Sequence, residues 1–96
     1  MTPGRRTLLD DDAVAAGLAG LDWERDGHAL TRTREFPTFA DATAFVDRVA
    51  EVADAMDHHP DIDVRYRRVD LRVTTHSAGG ITPMDLEFAE RIDGLA

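Results

Sequence analysis

The chain has 96 residues, 43% hydrophobic and 31% charged, which is room for one hydrophobic core and the composition of a folded domain. Cysteine is absent, which excludes disulfides and thiolate metal sites. The net charge is −8 and all eleven cationic side chains are arginine, a balance that repels phosphate backbones and argues against direct nucleic-acid binding.

The first helix is expected to start at Asp10, an N-cap flanked by Leu9 and Val14 at the spacing of a hydrophobic staple. Asp11 and Asp12 suit the positive end of its dipole, and it should stop near Gly20. Trp23 opens a short strand, and Asp26-Gly27 is a two-residue hairpin signal. The return strand, 29–36, alternates poorly, because Leu30 and Phe36 share a face with Arg32 and Arg34. A second helix follows Pro37 with Thr38 as its N-cap. Its apolar positions Ala42, Phe45, Val46, Val49, Ala53 and Met56 repeat at helical spacing, and Pro60 sets its latest end. Two strands come next, Ile62, Val64 and Tyr66 and then Val69, Leu71 and Val73 making one dry face. Arg65, Arg67, Arg68 and Arg72 read as a solvated sheet face, although Arg67-Arg68 is poor chemistry for the turn between the strands. Ala78-Gly79-Gly80 predicts a flexible loop. Thr82 and Pro83 then open a last helix with Leu86, Ala89 and Ile92 as its buried stripe.

The order is therefore α-β-β-α-β-β-α in a single domain over 1–96, with 1–7 expected to be flexible. No apolar run approaches the roughly 18 residues of a bilayer span. The opening residues 1–6 are polar and lack the apolar stretch of a signal peptide. A cytoplasmic protein with no membrane association is expected, and so thin a core favours self-association.

Histidine carries the candidate chemistry. His58 and His59 are adjacent before Pro60, and His76 falls at a predicted strand end. An imidazole both takes and gives a proton near neutrality. Asp54 lies four residues before His58, so a continuing helix would place the two on one face, where the carboxylate orients the ring. The same two histidines are equally at home as polar residues at a helix C-terminus. Asp85, three residues after Thr82, suits a capping box in its own right. His28, after Asp-Gly, reads as a surface turn residue. A metal site from Asp54, His58, His59 and His76 is disfavoured, because adjacent histidines seldom ligate one ion and no HExxH spacing is present.

The run Asp54-Ala55-Met56-Asp57-His58-His59-Pro60, followed by Tyr66, by His76 after a threonine, and by Asp85, resembles the signature of the pterin-4a-carbinolamine dehydratases. Trp23 and Phe36-Pro37-Thr38-Phe39 are similar to the family pattern too, and the resemblance spans roughly Leu8 to Leu95. It implies an α+β fold, a four-stranded antiparallel sheet with helices packed on one face. It also implies homodimers or homotetramers, in which sheets join edge to edge and helices pack together. The implied activity is loss of water from 4a-hydroxytetrahydropterin to give the quinonoid dihydropterin, recycling the cofactor of aromatic amino acid hydroxylases. No metal, nucleotide or other cofactor is needed. Within the family pattern His58 and His76 are the main acid–base pair, His59 binds the substrate and assists, and Asp54 and Asp85 hold and tune the imidazoles. A non-catalytic binding or scaffold role on the same fold is the alternative, since animal members also act as dimerisation cofactors of a homeodomain transcription factor. Two positions depart from the pattern: Ile62 stands where many members carry Trp, which bears on pterin stacking, and Asp54 replaces the common glutamate.

Overall fold

Three helices alternate with two hairpins: α1 (Asp11–Leu18), β1 (Glu24–Asp26), β2 (Ala29–Glu35), α2 (Phe39–Met56), β3 (Asp61–Arg65), β4 (Arg68–Val73) and α3 (Pro83–Asp93), with one 3₁₀ turn at His76–Ala78. The computed structural model describes residues 4–95. Of the segment expected to be flexible, 1–3 lie outside the described residues, whereas the Arg5 carbonyl accepts the Met84 N–H at 3.0 Å. The sheet is antiparallel throughout in the order β1-β2-β4-β3, so the two hairpins meet through β2 and β4. This is the expected α+β fold. Among the described residues no helix is long and apolar enough to cross a membrane.

Period-two alternation decides which face of the sheet is covered. Leu30, Val69, Leu71 and Val73 are fully buried against Phe45, Val49 and Ala53 of α2 and Phe88, Ala89 and Ile92 of α3. Burying one such large side chain contributes roughly 1.5–3 kcal/mol. The helices begin as their caps dictate: Asp10 Oδ1 accepts the Ala13 N–H at 2.8 Å and Thr38 Oγ1 accepts that of Asp41 at 3.1 Å. On the open face, Arg72 pairs with Asp26 at 2.7 Å, Arg68 with Asp70 at 3.1 Å and Arg65 with Asp63 at 3.1 Å. Three of the four clustered arginines thus lie paired on a solvated sheet face, while Arg67 sits in the turn over the Tyr66 ring.

Several local expectations shift. The first hairpin turns at Gly27-His28, one residue later than Asp26-Gly27, because Asp26 pairs with Ala29 and glycine takes the φ of +59° at the first turn position. His28 is an exposed turn residue, as expected. Tyr66 is not on the dry face: with Arg65 opposite Arg68 it occupies the second turn at φ +53°, and it is 71% exposed. Ile62 is half-buried and Val64 is 38% exposed because β3 is an edge strand, so the dry face is complete only on β4. Ala78-Gly79-Gly80 closes a hydrogen-bonded turn, with the Thr75 N–H on the Gly80 carbonyl at 3.0 Å. In α3, Leu86 is half-buried, and Phe88 takes the central position the expected stripe had omitted.

Arg32 and Arg34 do lie on the helix-covered face. Arg34 stacks over Phe36 and Phe45, 5.1 and 4.9 Å from the ring centroids. Arg32 reaches Asp93 at the end of α3, whose carboxylate also accepts the Trp23 indole N–H and the Asp22 N–H, each at 3.0 Å. That carboxylate ties the entry of the first hairpin to the last helix. Asp93→Ala is expected to cost about 1–3 kcal/mol in urea unfolding, by leaving the Trp23 indole N–H and the Asp22 N–H without their acceptor. Asp93→Asn, which keeps an acceptor for Trp23, should cost less.

On the open face Asp70 sits below the ordinary carboxylate range. The Thr33 hydroxyl, which donates to it at 2.6 Å, is the main cause; partial burial opposes the shift, and Arg68 adds to it. A depressed carboxylate contributes stability above its ordinary pKa, and that contribution is lost as pH falls through the lowered value. Thr33→Val should therefore raise the Asp70 midpoint towards the ordinary range in an NMR titration and flatten the acid limb of the stability profile.

Candidate active site

Helix α2 stops earlier than Pro60 requires. Asp57 adopts the left-handed conformation, φ 50° and ψ 46°. The His58 N–H reaches back to the Ala53 carbonyl at 3.0 Å, and that of Asp57 to Asp54 at 3.2 Å. This is a Schellman ending with aspartate where glycine is usual. The reversal removes the expected Asp54–His58 pair, since His58 no longer lies on the helix. The partners are exchanged instead: His59 Nε2 lies 2.9 Å from Asp54 Oδ1, and His58 Nε2 lies 2.6 Å from Asp85 Oδ1.

The two pairs sit in different surroundings. His59 and Asp54 are exposed, with 59% and 79% of their side chains accessible, so their ion pair is well solvated. His58 is buried and Asp85 fully so. Asp85 closes the capping box at the start of α3, with Oδ2 accepting the Thr82 N–H at 2.9 Å. The same oxygen accepts the Thr75 hydroxyl at 2.8 Å, and Thr75 and Thr82 share a further hydroxyl bond of 2.7 Å. With Oδ2 filled by donors and Oδ1 facing the imidazole, the carboxylate acts as an acceptor on both sides. His58 therefore donates to Asp85 through Nε2–H.

His76 does not end the strand; it opens the exposed 3₁₀ turn beyond β4. The turn nevertheless brings it to the others. A cleft of about 300 Å³ is lined by Arg6, His58, His59, Thr75, His76 and Ser77 among others. All three predicted histidines thus share one cleft; Asp54 and Asp85 stand behind His59 and His58. Ile62 is not part of the lining. Sequence reasoning missed Arg6, which no motif marks, and the buried Thr75, whose only signal was its place beside His76. Among the described residues no three His, Asp or Glu side chains converge to hold a metal ion.

The structure is thus a small α+β domain in which a carboxylate-held imidazole and two further histidines share one cleft. The chain is a member of the pterin 4 alpha carbinolamine dehydratase family, whose pattern it matches over residues 7–95. A relative from Nocardia farcinica is 49% identical over 90 residues, covering 93% of this chain and 95% of its own. One from Thermomicrobium roseum is 52% identical over 89 residues, covering 92% and 96%. Both are named, provisionally, as pterin-4-alpha-carbinolamine dehydratases. The crystal structure of a transcriptional coactivator/pterin dehydratase from Brucella melitensis superposes with a TM-score of 0.85 at 31% identity, over 90% of this chain and 95% of that one. The fold also matches a pterin dehydratase-like RuBisCO assembly factor of the α-carboxysome, with a TM-score of 0.62 at 21% identity, over 77% and 86% of the two chains.

Long-range ¹H–¹⁵N spectra are expected to show His58 as the Nε2–H tautomer. Thr75→Val, which keeps the side chain's shape and removes its donor, should destabilise the fold by about 1–3 kcal/mol and broaden or shift the His58 ring signals.

Proposed function

We propose that the chain is a hydro-lyase that removes water from a 4a-hydroxytetrahydropterin to give the quinonoid dihydropterin, by histidine general acid–base catalysis in pterin cofactor recycling. The observation that carries this reading is the buried His58–Asp85 pair, 2.6 Å apart, facing a cleft that His59 and His76 also line. Dehydration breaks the C4a–O bond, makes the C4a=N5 double bond and releases the N5 proton. His58, with Nε2–H engaged by Asp85, offers Nδ1 as the base for that proton. Asp85 then faces the imidazolium so formed, the part a buried aspartate plays beside histidine in hydrolase triads. His76 in its protonated form delivers a proton to the departing hydroxyl. One proton is taken, one is given and water leaves. His59, steadied by Asp54, binds the pterin and assists.

The proposal includes a cytoplasmic location and self-association as a homodimer or homotetramer. Supporting self-association, β3 is an edge strand with Val64 and the neighbouring Tyr66 exposed. Light scattering at micromolar concentration should give a multiple of the monomer mass, and a monomer would overturn that part.

Each positioned proton transfer is worth on the order of 10²–10⁴ in rate. His58→Ala and His76→Ala are each expected to lower turnover about 10²-fold or more on enzymatically generated 4a-hydroxytetrahydropterin, with unchanged circular dichroism. Wild-type protein that leaves the buffer rate unaccelerated would favour the scaffold role, which has no use for carboxylate-held imidazoles on a cleft.

A further inference from the structure

Building on the dehydratase reading, we propose that Arg6 is a specificity-determining residue that turns this cleft towards pterins whose C6 side chain carries an anionic group, a carboxylate or a phosphate. Arg6 lines the cleft together with the three histidines. One of its Nη atoms donates to the carbonyl of Asp57, at 3.1 Å, the residue that reverses the chain immediately before His58. The segment bearing it is anchored on both sides. The Arg5 carbonyl accepts the Met84 N–H at 3.0 Å, the Arg5 guanidinium pairs with Glu87, and the Leu9 N–H bonds the Ile81 carbonyl at 2.9 Å.

The charge on Arg6 is uncommitted. Arg5 has a carboxylate partner, whereas Arg6 has none within 4 Å among the described residues: Asp57, which also lines the cleft, meets it only through the backbone carbonyl, and the carboxylates of Asp54 and Asp85 are each engaged with a histidine. A guanidinium keeps its charge at any working pH and presents a fork of donors that matches carboxylate or phosphate oxygens. Loss of the 4a hydroxyl and the N5 proton requires no permanent cation, because the imidazoles supply both proton transfers. The pterin bicycle itself is uncharged in the tetrahydro form. C6 is bonded to N5, so a substrate with N5 at His58 directs its C6 substituent along the cleft wall, where a fixed cation selects for an anion.

The test is fluorescence titration of the full chain with three stable oxidised pterins: neutral 6-hydroxymethylpterin, 6-carboxypterin and 6-hydroxymethylpterin monophosphate. At least one anionic pterin is expected to bind about five- to tenfold more tightly than the neutral one, and the pair of anions tells carboxylate from phosphate. Arg6→Gln should close the gap and Arg6→Lys should keep part of it. Equal affinity for all three in the wild type, or a gap that survives Arg6→Gln, overturns the assignment while leaving the dehydratase reading intact. Failure of all three to bind overturns the assignment as well, whereas the dehydratase reading stands or falls on turnover of 4a-hydroxytetrahydropterin.

Discussion

Taking a carboxylate out of water costs several kcal/mol unless it is fully hydrogen-bonded, and Asp85 is fully buried. Its surroundings are arranged to meet that cost. The Thr82 N–H comes from the N-cap of α3, the Thr75 hydroxyl from the segment after β4, and the His58 imidazole from beyond the end of α2. The end of α2, the segment after β4 and the start of α3 are thereby held to one another at a single side chain. Removing any one donor leaves part of a buried charge unmet, so these contacts act as a unit rather than as a sum.

The second constraint is the reversal at Asp57. A helix running on to Pro60 would have carried His58 and His59 out on its own surface, about 100° apart. The left-handed residue instead points one ring inward to Asp85 and leaves the other at the surface with Asp54. Two adjacent and chemically identical side chains thus acquire different burial, different partners and, on the proposed mechanism, different tasks. The departure Asp54 for glutamate is compatible with this arrangement, since the shorter carboxylate still reaches His59 at 2.9 Å.

Much of the fold was legible because its signals are local. Caps at Asp10, Thr38 and Thr82, the helical repeat of α2 and the alternation of β4 each act over a few residues, and each appears where the sequence placed it. What was not legible depends on tertiary context. No glycine marks the end of α2, so the early stop and the resulting exchange of histidine partners could not be read from spacing. Tyr66 looks like a strand residue by alternation, yet the register between Arg65 and Arg68 forces it into the turn. Whether Val64 is wet or dry depends on β3 lying at the sheet edge, a fact of topology. The family pattern supplied the site residues together, but it gave neither their pairing nor the presence of Arg6 in the cleft.

The capping box of α3 has a consequence for how the protein comes into being. Thr82 caps α3 and Asp85 lies in its first turn, after α2 and both hairpins in chain order. A ribosome releases α2, with His58 and His59 just beyond it, and the whole sheet before these residues emerge. Until α3 is made and docked, His58 and Thr75 lack the Asp85 carboxylate that accepts from both in the folded protein. The nascent chain at that stage carries all three histidines but not the carboxylate that holds His58. The buried His58–Asp85 pair forms only once α3 docks, at the same step that completes the hydrophobic core around Phe88 and Ile92.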